Sequence, residues 1–279
     1  METYTTHIKS KTGWFDVNLK ELWQYRDLIY MFARRSLLAG YKQTVLGPFW
    51  NVLQPLCTVA VQALVFGNMA KLSGDGVPKF VFYMCSNVMW GFFSTCLTKT
   101  AFTFTSNVKI MGKVYFPRLC MPLASTLLAT WKMLIKVGLL WAIMLFYFCR
   151  GTVFQLGIKM LWAPLLLLQA AMLGTGFGVI VAAWTTKYRD LAVFISFGMQ
   201  LWQYASPVIY TEKKVSAELF HWYMLNPIAP IMCNWRNVML GSGTFYAKYW
   251  VISWIITVIV LLFGILVFNK AEKTFLDTI

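Results

Sequence analysis

The sequence predicts an all-α integral membrane protein, and three features of its composition point to that class. Of its 279 residues, 59% are apolar and only 13% are charged, about half the charged fraction of an average globular protein. Several uncharged runs exceed the ~20 residues that a helix needs to cross the hydrocarbon core of a bilayer. The formal charge of +15 comes mainly from cations at the ends of these runs, which favours membrane anchoring over nucleic-acid binding.

An amphipathic helix is predicted at 19–38, inside an N-terminal segment, 1–48, that we expect to lie in the cytoplasm. Its apolar side chains recur every three or four residues, at Leu22, Tyr25, Ile29 and Phe32. Polar and basic side chains occupy the other faces, a pattern typical of a helix that lies on a bilayer surface. Such a helix is either a simple interfacial anchor or an element whose polar face also docks a soluble partner.

Gly47 and Pro48 form a joint between this helix and the first apolar run. Proline restricts the residues before it toward extended geometry and fits the first turn of a new helix, where its missing N–H costs nothing. No charge follows from Phe49 until Lys71. We therefore expect the joint to carry motion from a cytoplasmic partner into the first membrane span.

A membrane domain, 49–279, is predicted to cross the bilayer six times. The predicted spans are 49–70, 80–106, 119–149, 160–186, 191–211 and 249–268. An even number of spans puts both termini on the same side of the membrane. The segments on that side carry more Lys and Arg than the opposite ones, so the positive-inside rule places both termini in the cytoplasm.

Two connections between the spans are unusual. Residues 107–118, predicted on the cytoplasmic side, are basic, contain no acid and are long enough for one short helix. Residues 212–247, predicted on the outer side, contain two apolar pieces divided by Pro227 and Pro230, each too short to cross a bilayer. Short apolar helices joined at proline predict a re-entrant hairpin that must be buried in protein or at the interface.

The sequence carries few signals of an enzyme. None of its ten acidic residues lies inside a predicted span, its two histidines are far apart, and its six cysteines form no CxxC pair. These features disfavour a metal site and a membrane glycosyl- or acyltransferase. No GxxxxGK motif is present, so we expect no nucleotide and no other cofactor on this chain. Without an intramembrane carboxylate for ion coupling, a transporter of this kind needs energy from another chain.

Lys132 and Lys136 are the only charges well inside an apolar run, and their i, i+4 spacing puts them on one helix face. Either they snorkel to the membrane interface or they line a path for an anionic substrate. Trp202, Tyr204 and Tyr210 in the fifth span fit an interfacial aromatic belt less well than the other aromatic residues do. The alternative is that their rings stack on sugar faces and give a polysaccharide a sequence-tolerant track.

Six short pieces of the chain, taken together, resemble one known family. They are YKQTVLGPFWNVLQP (41–55), VYFPR (114–118), Met121-Pro122, KYRD (187–190), SPVIY (206–210) and LNP (225–227). In this order and spacing they resemble the membrane subunit of ATP-binding-cassette (ABC) exporters of lipid-linked polysaccharide. The nearest group is the Wzm-like O-antigen permeases, with capsule and teichoic-acid permeases as relatives. The resemblance extends over about 19–268.

The resemblance implies a homodimer in the bacterial cytoplasmic membrane, with six spans in each copy and a gate formed by the hairpin before the last span. It implies two copies of a separate ATPase, which would bind ATP and Mg, and a path enclosed by the first and fifth spans of both subunits. The substrate would be a polyprenyl-pyrophosphate-linked polysaccharide, with O-antigen favoured. The alternatives are a capsule or teichoic-acid polymer, or a small lipophilic drug.

Candidate site residues follow from the patterns and the resemblance together. Contacts with the ATPase are expected at Arg26, Asp27, Lys109, Lys113, Tyr115, Phe116, Pro117 and Arg118. The substrate path is expected to include Phe49, Trp50, Trp202, Tyr204, Tyr210, Lys132 and Lys136. The external gate is expected at Trp222, Asn226, Pro227 and Trp235. Recruitment of the lipid pyrophosphate is expected at Arg34, Arg35 and Lys42, for which simple positive-inside anchoring is the alternative.

The chain departs from the family pattern at Met111-Gly112-Lys113, where family members often have two basic residues. Glycine lowers helix propensity by about 1 kcal/mol relative to alanine, so a shorter coupling helix is expected here.

Overall fold

The computed structural model describes residues 19–42, 44–70, 72, 76–111, 116–155, 157–185 and 190–276. Within these ranges the chain forms helices joined by short connections, with no strand. Five helical stretches of the described chain have the length and hydropathy to cross a bilayer. They are Gly47–Met69, Lys79–Ala101, Cys120–Cys149, Ile158–Thr185 and Ala247–Lys270.

The predicted amphipathic helix is two helices, α1 (Leu19–Gln24) and α2 (Arg26–Ala39), separated at Tyr25. Their apolar face packs against the rest of the chain, and Ala33 is almost fully buried. The ring of Tyr30 meets Trp131 edge-on at 5.5 Å between centroids. Burial of one face explains why these residues form helices although α2 is slightly polar on average.

The first span begins at the joint with a 3-10 turn, Gly47–Phe49, and continues as α3 (Trp50–Gln62). It ends in a π-helical segment, Ala63–Met69. The π-helical conformation is rare in proteins, and where it occurs it often lies at a functional site. Only 6% of the most apolar part of this span is buried inside the chain, against 72% for the second span. The first span therefore lies at the edge of the bundle and leaves most of its surface free.

The centre of the bundle consists of α4 (Lys79–Ala101) and α7 (Ala163–Thr185), and α6 (Cys120–Cys149) and α11 (Ala247–Leu276) pack against them. A short helix, α5 (Thr103–Met111), follows α4 after a break at Phe102 and bends at Asn107.

Small residues let α7 approach its neighbours closely. A Cβ on Gly178 would lie 2.7 Å from the carbonyl oxygen of Leu97 on α4. Close backbone approach at small residues is a common way for membrane helices to associate.

The fifth predicted span, 191–211, is helical only over α8 (Leu191–Tyr204), and the prediction of a helix through 211 is wrong. Its 14 residues extend about 21 Å, short of the ~30 Å hydrocarbon core. The physical reason is Pro207, which cannot donate a helical hydrogen bond and restricts Ser206 before it. The structure therefore has five span-length helices in its described part, where the sequence predicted six.

Two short helices precede the last one and match the predicted hairpin in position. They are α9 (Ala217–Met224) and α10 (Ile228–Leu240), joined at Asn226 and Pro227. All thirteen residues of α10 are buried, although it is too short to span a bilayer. The last helix runs to Leu276, beyond the predicted end at 268.

Replacing Gly178 by alanine is expected to lower the thermal unfolding midpoint of the purified protein in detergent. The new methyl group would lie 2.6 Å from Cβ of Thr100, so α4 and α7 must move apart. Overpacking of this kind costs about 1–3 kcal/mol. Gly138→Ala is the matched control, because no atom lies within 4 Å of its Cβ position. Equal midpoints for the two variants would contradict the close α4–α7 contact.

Candidate functional site

A buried ion pair holds the α9–α10 hairpin to the segment that follows α8. Nη2 of Arg236 donates a hydrogen bond to Oε2 of Glu212 at 2.7 Å, and the two side chains are only 4% and 2% exposed. Nη1 of Arg236 donates to the carbonyl oxygen of Tyr210 at 3.3 Å. The guanidinium carbon lies 4.9 Å from the centre of the Phe82 ring on α4. One side chain therefore links α10, the 210–212 segment and α4.

The electrostatics of this pair keep Arg236 charged. Burial lowers the pKa of the guanidinium, but neighbouring groups, Cys233 and Glu212 foremost, raise it by more, and the net shift is upward. Burial also raises the pKa of the Tyr223 hydroxyl well above its ordinary value, so this phenol stays neutral beside the pair. A charged arginine held by a carboxylate is the arrangement in which buried charge is tolerated.

Sequence reasoning placed Glu212 and Arg236 in one outer connection and did not pair them. One signal was available, because Arg236 is the only Lys or Arg in the apolar stretch 219–240. An isolated cation among apolar residues needs a partner, and Glu212 is the acid that the structure brings to it.

Asn226 fastens the turn of the hairpin to the end of α8. The indole N–H of Trp202 donates to Oδ1 of Asn226 at 2.9 Å, and Nδ2 of Asn226 donates to Oγ of Ser206 at 3.1 Å. The next residue, Pro227, accepts a hydrogen bond from Ser253 of α11 through its carbonyl oxygen at 2.6 Å. The predicted gate residues Asn226 and Pro227 thus fix the hairpin to two other helices.

The predicted path and gate aromatics divide into two groups. Trp202 packs edge-on against Phe93 and Phe177 at 5.2 and 5.3 Å, inside the bundle. Trp235 is buried and donates its indole N–H to the carbonyl oxygen of Cys85. The exposed rings are those of Phe49, Trp50, Tyr204 and Trp222. Tyr210 is half-buried, and its hydroxyl donates to the carbonyl oxygen of Tyr204 at 3.1 Å. Only the exposed group presents ring faces that a passing ligand can reach in this conformation.

At the Gly47 joint the sequence led us to expect extended residues before Pro48, but Leu46 lies in the right-handed helical region with φ of −98° and ψ of −4°. Gly47 has φ of +49°, a left-handed conformation that favours glycine, and Pro48 follows in the first turn of the 3-10 helix. Across the joint, Nδ2 of Asn51 donates a hydrogen bond to the hydroxyl of Tyr41. The segment after α2 is therefore tied directly to the start of the first span.

Residues predicted to contact an ATPase lie in different environments. Phe116 is buried with its ring centre 5.5 Å from that of Phe32 on α2, and Arg118 is buried as well. Phe116 therefore joins the 107–118 connection to α2, and both buried side chains offer little surface to another chain. Pro117 is half-buried.

The other basic and coupling candidates are more open where they are described. Arg26 and Asp27 are exposed and lie 3.9 Å apart. Arg34, Arg35 and Lys42 are exposed along and after α2. Lys113, Tyr115 and the side chain of Lys109 lie outside the described residues.

Lys132 and Lys136 are both half-buried side chains of α6. Lys136 lines a cavity between α3, α4 and α6 together with Asn51, Thr58 and Asn87. Lys132 lies one turn away on the same face of α6. The structure thus brings Lys136 together with polar residues of the first and second spans, which the sequence did not predict.

The span-length helices, with the amphipathic helices and the buried α10 packed against them, are the architecture of a multi-pass membrane protein. The described residues contain no group of three or more His, Cys, Asp or Glu placed to hold a metal ion.

The chain belongs to the ABC-2 type transporter family, whose sequence pattern matches residues 27–240. Members of this family are transporter permeases rather than enzymes, which confirms the resemblance at the level of the family. The chain is similar to two O-antigen export system permease proteins RfbA of Klebsiella pneumoniae, with 24% and 26% identity over 254 residues. Each of these matches covers 90% of this chain and 94% of the relative. An RfbA protein of Myxococcus xanthus is 25% identical over 79% of this chain and 83% of its own length.

Removing one partner of the buried pair is expected to destabilise the protein strongly. Arg236→Met or Glu212→Leu alone leaves an unpaired buried charge, which typically costs about 3–5 kcal/mol. The double variant removes both charges and is expected to recover most of that loss. The measurement is the thermal unfolding midpoint of each purified variant in detergent.

Lys248→Met is the control for this cycle, because Lys248 is exposed and the change removes a charge without uncovering a buried one. If the unfolding midpoint of the double variant falls by the sum of the two single decreases, Glu212 and Arg236 do not stabilise each other.

Proposed function

We propose that this chain is the membrane subunit of an ABC transporter that exports a polyprenyl-pyrophosphate-linked polysaccharide, with O-antigen as the favoured substrate. The observation that carries the proposal is similarity along nearly the whole chain to permeases named for O-antigen export. An exporter of this kind draws energy from ATP hydrolysis on a separate subunit, because the sequence has no nucleotide-binding motif of its own. ATP and Mg then belong to the partner.

The working unit in this proposal is a homodimer with two ATPase subunits, in the bacterial cytoplasmic membrane with both termini in the cytoplasm. The first span and α8 supply the surfaces that support it. Leu64 on the first span and Phe197 on α8 are exposed large apolar residues, and most of the first span has no cover within the chain. In the dimer these helices would face each other across the path, with Phe49, Trp50 and Tyr204 among the rings facing it.

Energy transfer would begin at the amphipathic helices. ATP binding closes the partner dimer, which pushes on the exposed Arg26–Asp27 end of α2 and on the 107–118 connection. Packing of Phe32 on Phe116 makes these two elements move together. The hydrogen bond between Asn51 and Tyr41 and the left-handed turn at Gly47 pass that movement to the first span.

Substrate recruitment would use the basic surface of the same region. Arg34, Arg35 and Lys42 are exposed, and each cation near an anionic head group contributes about 1 kcal/mol of attraction. The α9–α10 hairpin would form the gate at the other side of the membrane, held shut through Asn226 and Arg236. Release of these contacts would open the path.

The test of the proposed function is deletion of the gene followed by localisation of the polysaccharide. The expected result is full-length, lipid-linked polymer retained on the cytoplasmic face, with export restored by a plasmid copy. Polymer that is absent or truncated in every fraction would indicate an enzyme of synthesis instead. Normal surface polymer would exclude glycan as the main substrate and favour export of a small lipophile.

Gly47→Ala is expected to slow export while the protein still assembles. An alanine at φ of +49° costs about 1–2 kcal/mol, and strain on that scale shifts the equilibrium between two conformations of the joint by roughly 5- to 30-fold. The measurement is the initial rate of polymer appearance at the surface, normalised to the amount of permease in the membrane.

Gly76→Ala is the matched control, because Gly76 also has a positive φ, +72°, and open space around its Cβ position, but lies outside the joint. Equal export rates for the two variants would contradict a role of the joint in coupling.

A further inference from the structure

The cavity between α3, α4 and α6 is lined by polar side chains together with apolar ones such as Met84, Val88 and Trp90. Its volume is about 160 Å³. The first span contributes Asn51, Gln54 and Thr58, which recur every three or four residues and so share one face of α3. Asn87 lies opposite on α4, and Lys136 of α6 closes the third side. Asn51 and Asn87 are half-buried and Gln54 and Thr58 are exposed, so these polar groups are within reach of a ligand that enters the cavity.

Distances along α6 and along α4 both place the Lys136 ammonium group far from the ends of these helices. Along α6, Lys136 lies about 21 Å from Arg150 and about 24 Å from Cys120. Its Nζ lies 3.5 Å from the position that a Cβ on Gly91 would occupy. Along α4, Gly91 is about 18 Å from Lys79 and about 15 Å from Ala101. Lys136 therefore does not snorkel, because its ammonium points across to the middle of α4.

In the described residues, no acidic side chain forms an ion pair with the Lys136 ammonium group. The charged neighbour of Lys136 is Lys132, which in turn lies within electrostatic range of Lys99. A row of three cations leads from the Lys99 end of α4 to the cavity. Cations gathered at membrane depth without a carboxylate are rare and typically mark the pathway of an anion. Their mutual repulsion is relieved when an anion binds.

The cavity is also connected to the joint. Asn51 lines the cavity and donates its hydrogen bond to Tyr41 on the other side of Gly47. Nδ2 of Asn87 on α4 donates to Oε1 of Gln62 at the other end of α3 and to the carbonyl oxygen of Tyr83 at 2.8 Å. The far end of α3 is therefore tied to α4, and movement at the joint would change the width of the cavity mainly at its Asn51 end.

We propose that this cavity is an anion site that binds the phosphate group of the substrate's lipid carrier, with Lys136 as the charged ligand and the side-chain amide N–H groups of Asn51 and Gln54 as hydrogen-bond donors. Lys99 and Lys132 guide the phosphate to it from the cytoplasmic side. The assignment to the carrier rests on the proposed function, whereas the anion site itself rests on the geometry. A membrane phospholipid presents the same phosphate chemistry and is the other source that the experiment must separate.

The experiment measures binding by the purified full-length chain in nanodiscs of phosphatidylcholine. Undecaprenyl pyrophosphate is titrated, with undecaprenyl alcohol as the uncharged probe and phosphatidylglycerol as the competing phospholipid. Lys136→Met removes the charge, Lys136→Arg keeps it, and Lys159→Met removes an exposed charge elsewhere. If Lys136→Met fails to fold, Gly91→Val fills the cavity beside the ammonium without changing any charge.

The expected result is a Kd for the pyrophosphate that rises roughly 10- to 100-fold in Lys136→Met, the loss that a charge-assisted hydrogen bond corresponds to. Lys136→Arg and Lys159→Met are expected to bind like the wild type, and binding of the alcohol is expected to be the same in all variants. Gly91→Val is expected to weaken pyrophosphate binding as well.

Equal pyrophosphate binding by the wild type, Lys136→Met and Gly91→Val would overturn the anion site. Phosphatidylglycerol that competes as well as the pyrophosphate would overturn the assignment to the carrier. Both outcomes are independent of export, so they leave the proposed function standing. Normal surface polymer after gene deletion would remove the proposed function without altering a Lys136-dependent Kd.

Discussion

The guanidinium of Arg236 is the charge on which the arrangement of the α9–α10 hairpin depends. A helix of 13 residues with every residue buried is too short to span the membrane, so its polar groups must be satisfied inside the protein. Glu212, the Tyr210 carbonyl group and the Phe82 ring satisfy this one side chain from two other segments. Asn226 does the same for the turn before α10. Several polar contacts therefore hold the hairpin in place, and they would have to break together before it could move.

The side of the bundle near the N-terminus is built differently. There the contacts are apolar and aromatic, as between Phe32 and Phe116 or Tyr30 and Trp131, and the first span is loosely covered. Apolar contacts tolerate sliding, whereas a buried ion pair does not. This contrast fits a transporter in which force enters through the amphipathic helices and a locked hairpin yields last. The cavity around Lys136 lies between these two regions, where the first span meets α4.

Apolar run length was sufficient to predict the first and third spans, whose observed ends fall within two residues of the expected ones. Pro227 marks the observed break between α9 and α10, whereas Pro230 lies inside α10 and marks none. The end of α8 at Tyr204 was missed because run length alone was used to set the end of the span, although Pro207 in the sequence indicates a stop. Tertiary partners were also hidden: Trp202 resembled a path residue until its contacts with Phe93, Phe177 and Asn226 were seen. Lys136 and Asn87 line the same cavity because of the way α4 and α6 pack against each other. The spacing of residues along one helix does not reveal that packing.

The most direct measurement of the central claim is translocation in inside-out membrane vesicles from the native strain. Lipid-linked polymer is built on the exposed cytoplasmic face with radiolabelled nucleotide sugars, and its protection from an added glycosidase is followed with and without ATP. The account predicts ATP-dependent protection in vesicles that contain this chain and none in vesicles from the deletion strain, although both make the polymer. Protection that is equal in the two kinds of vesicle, or that does not require ATP, would contradict it.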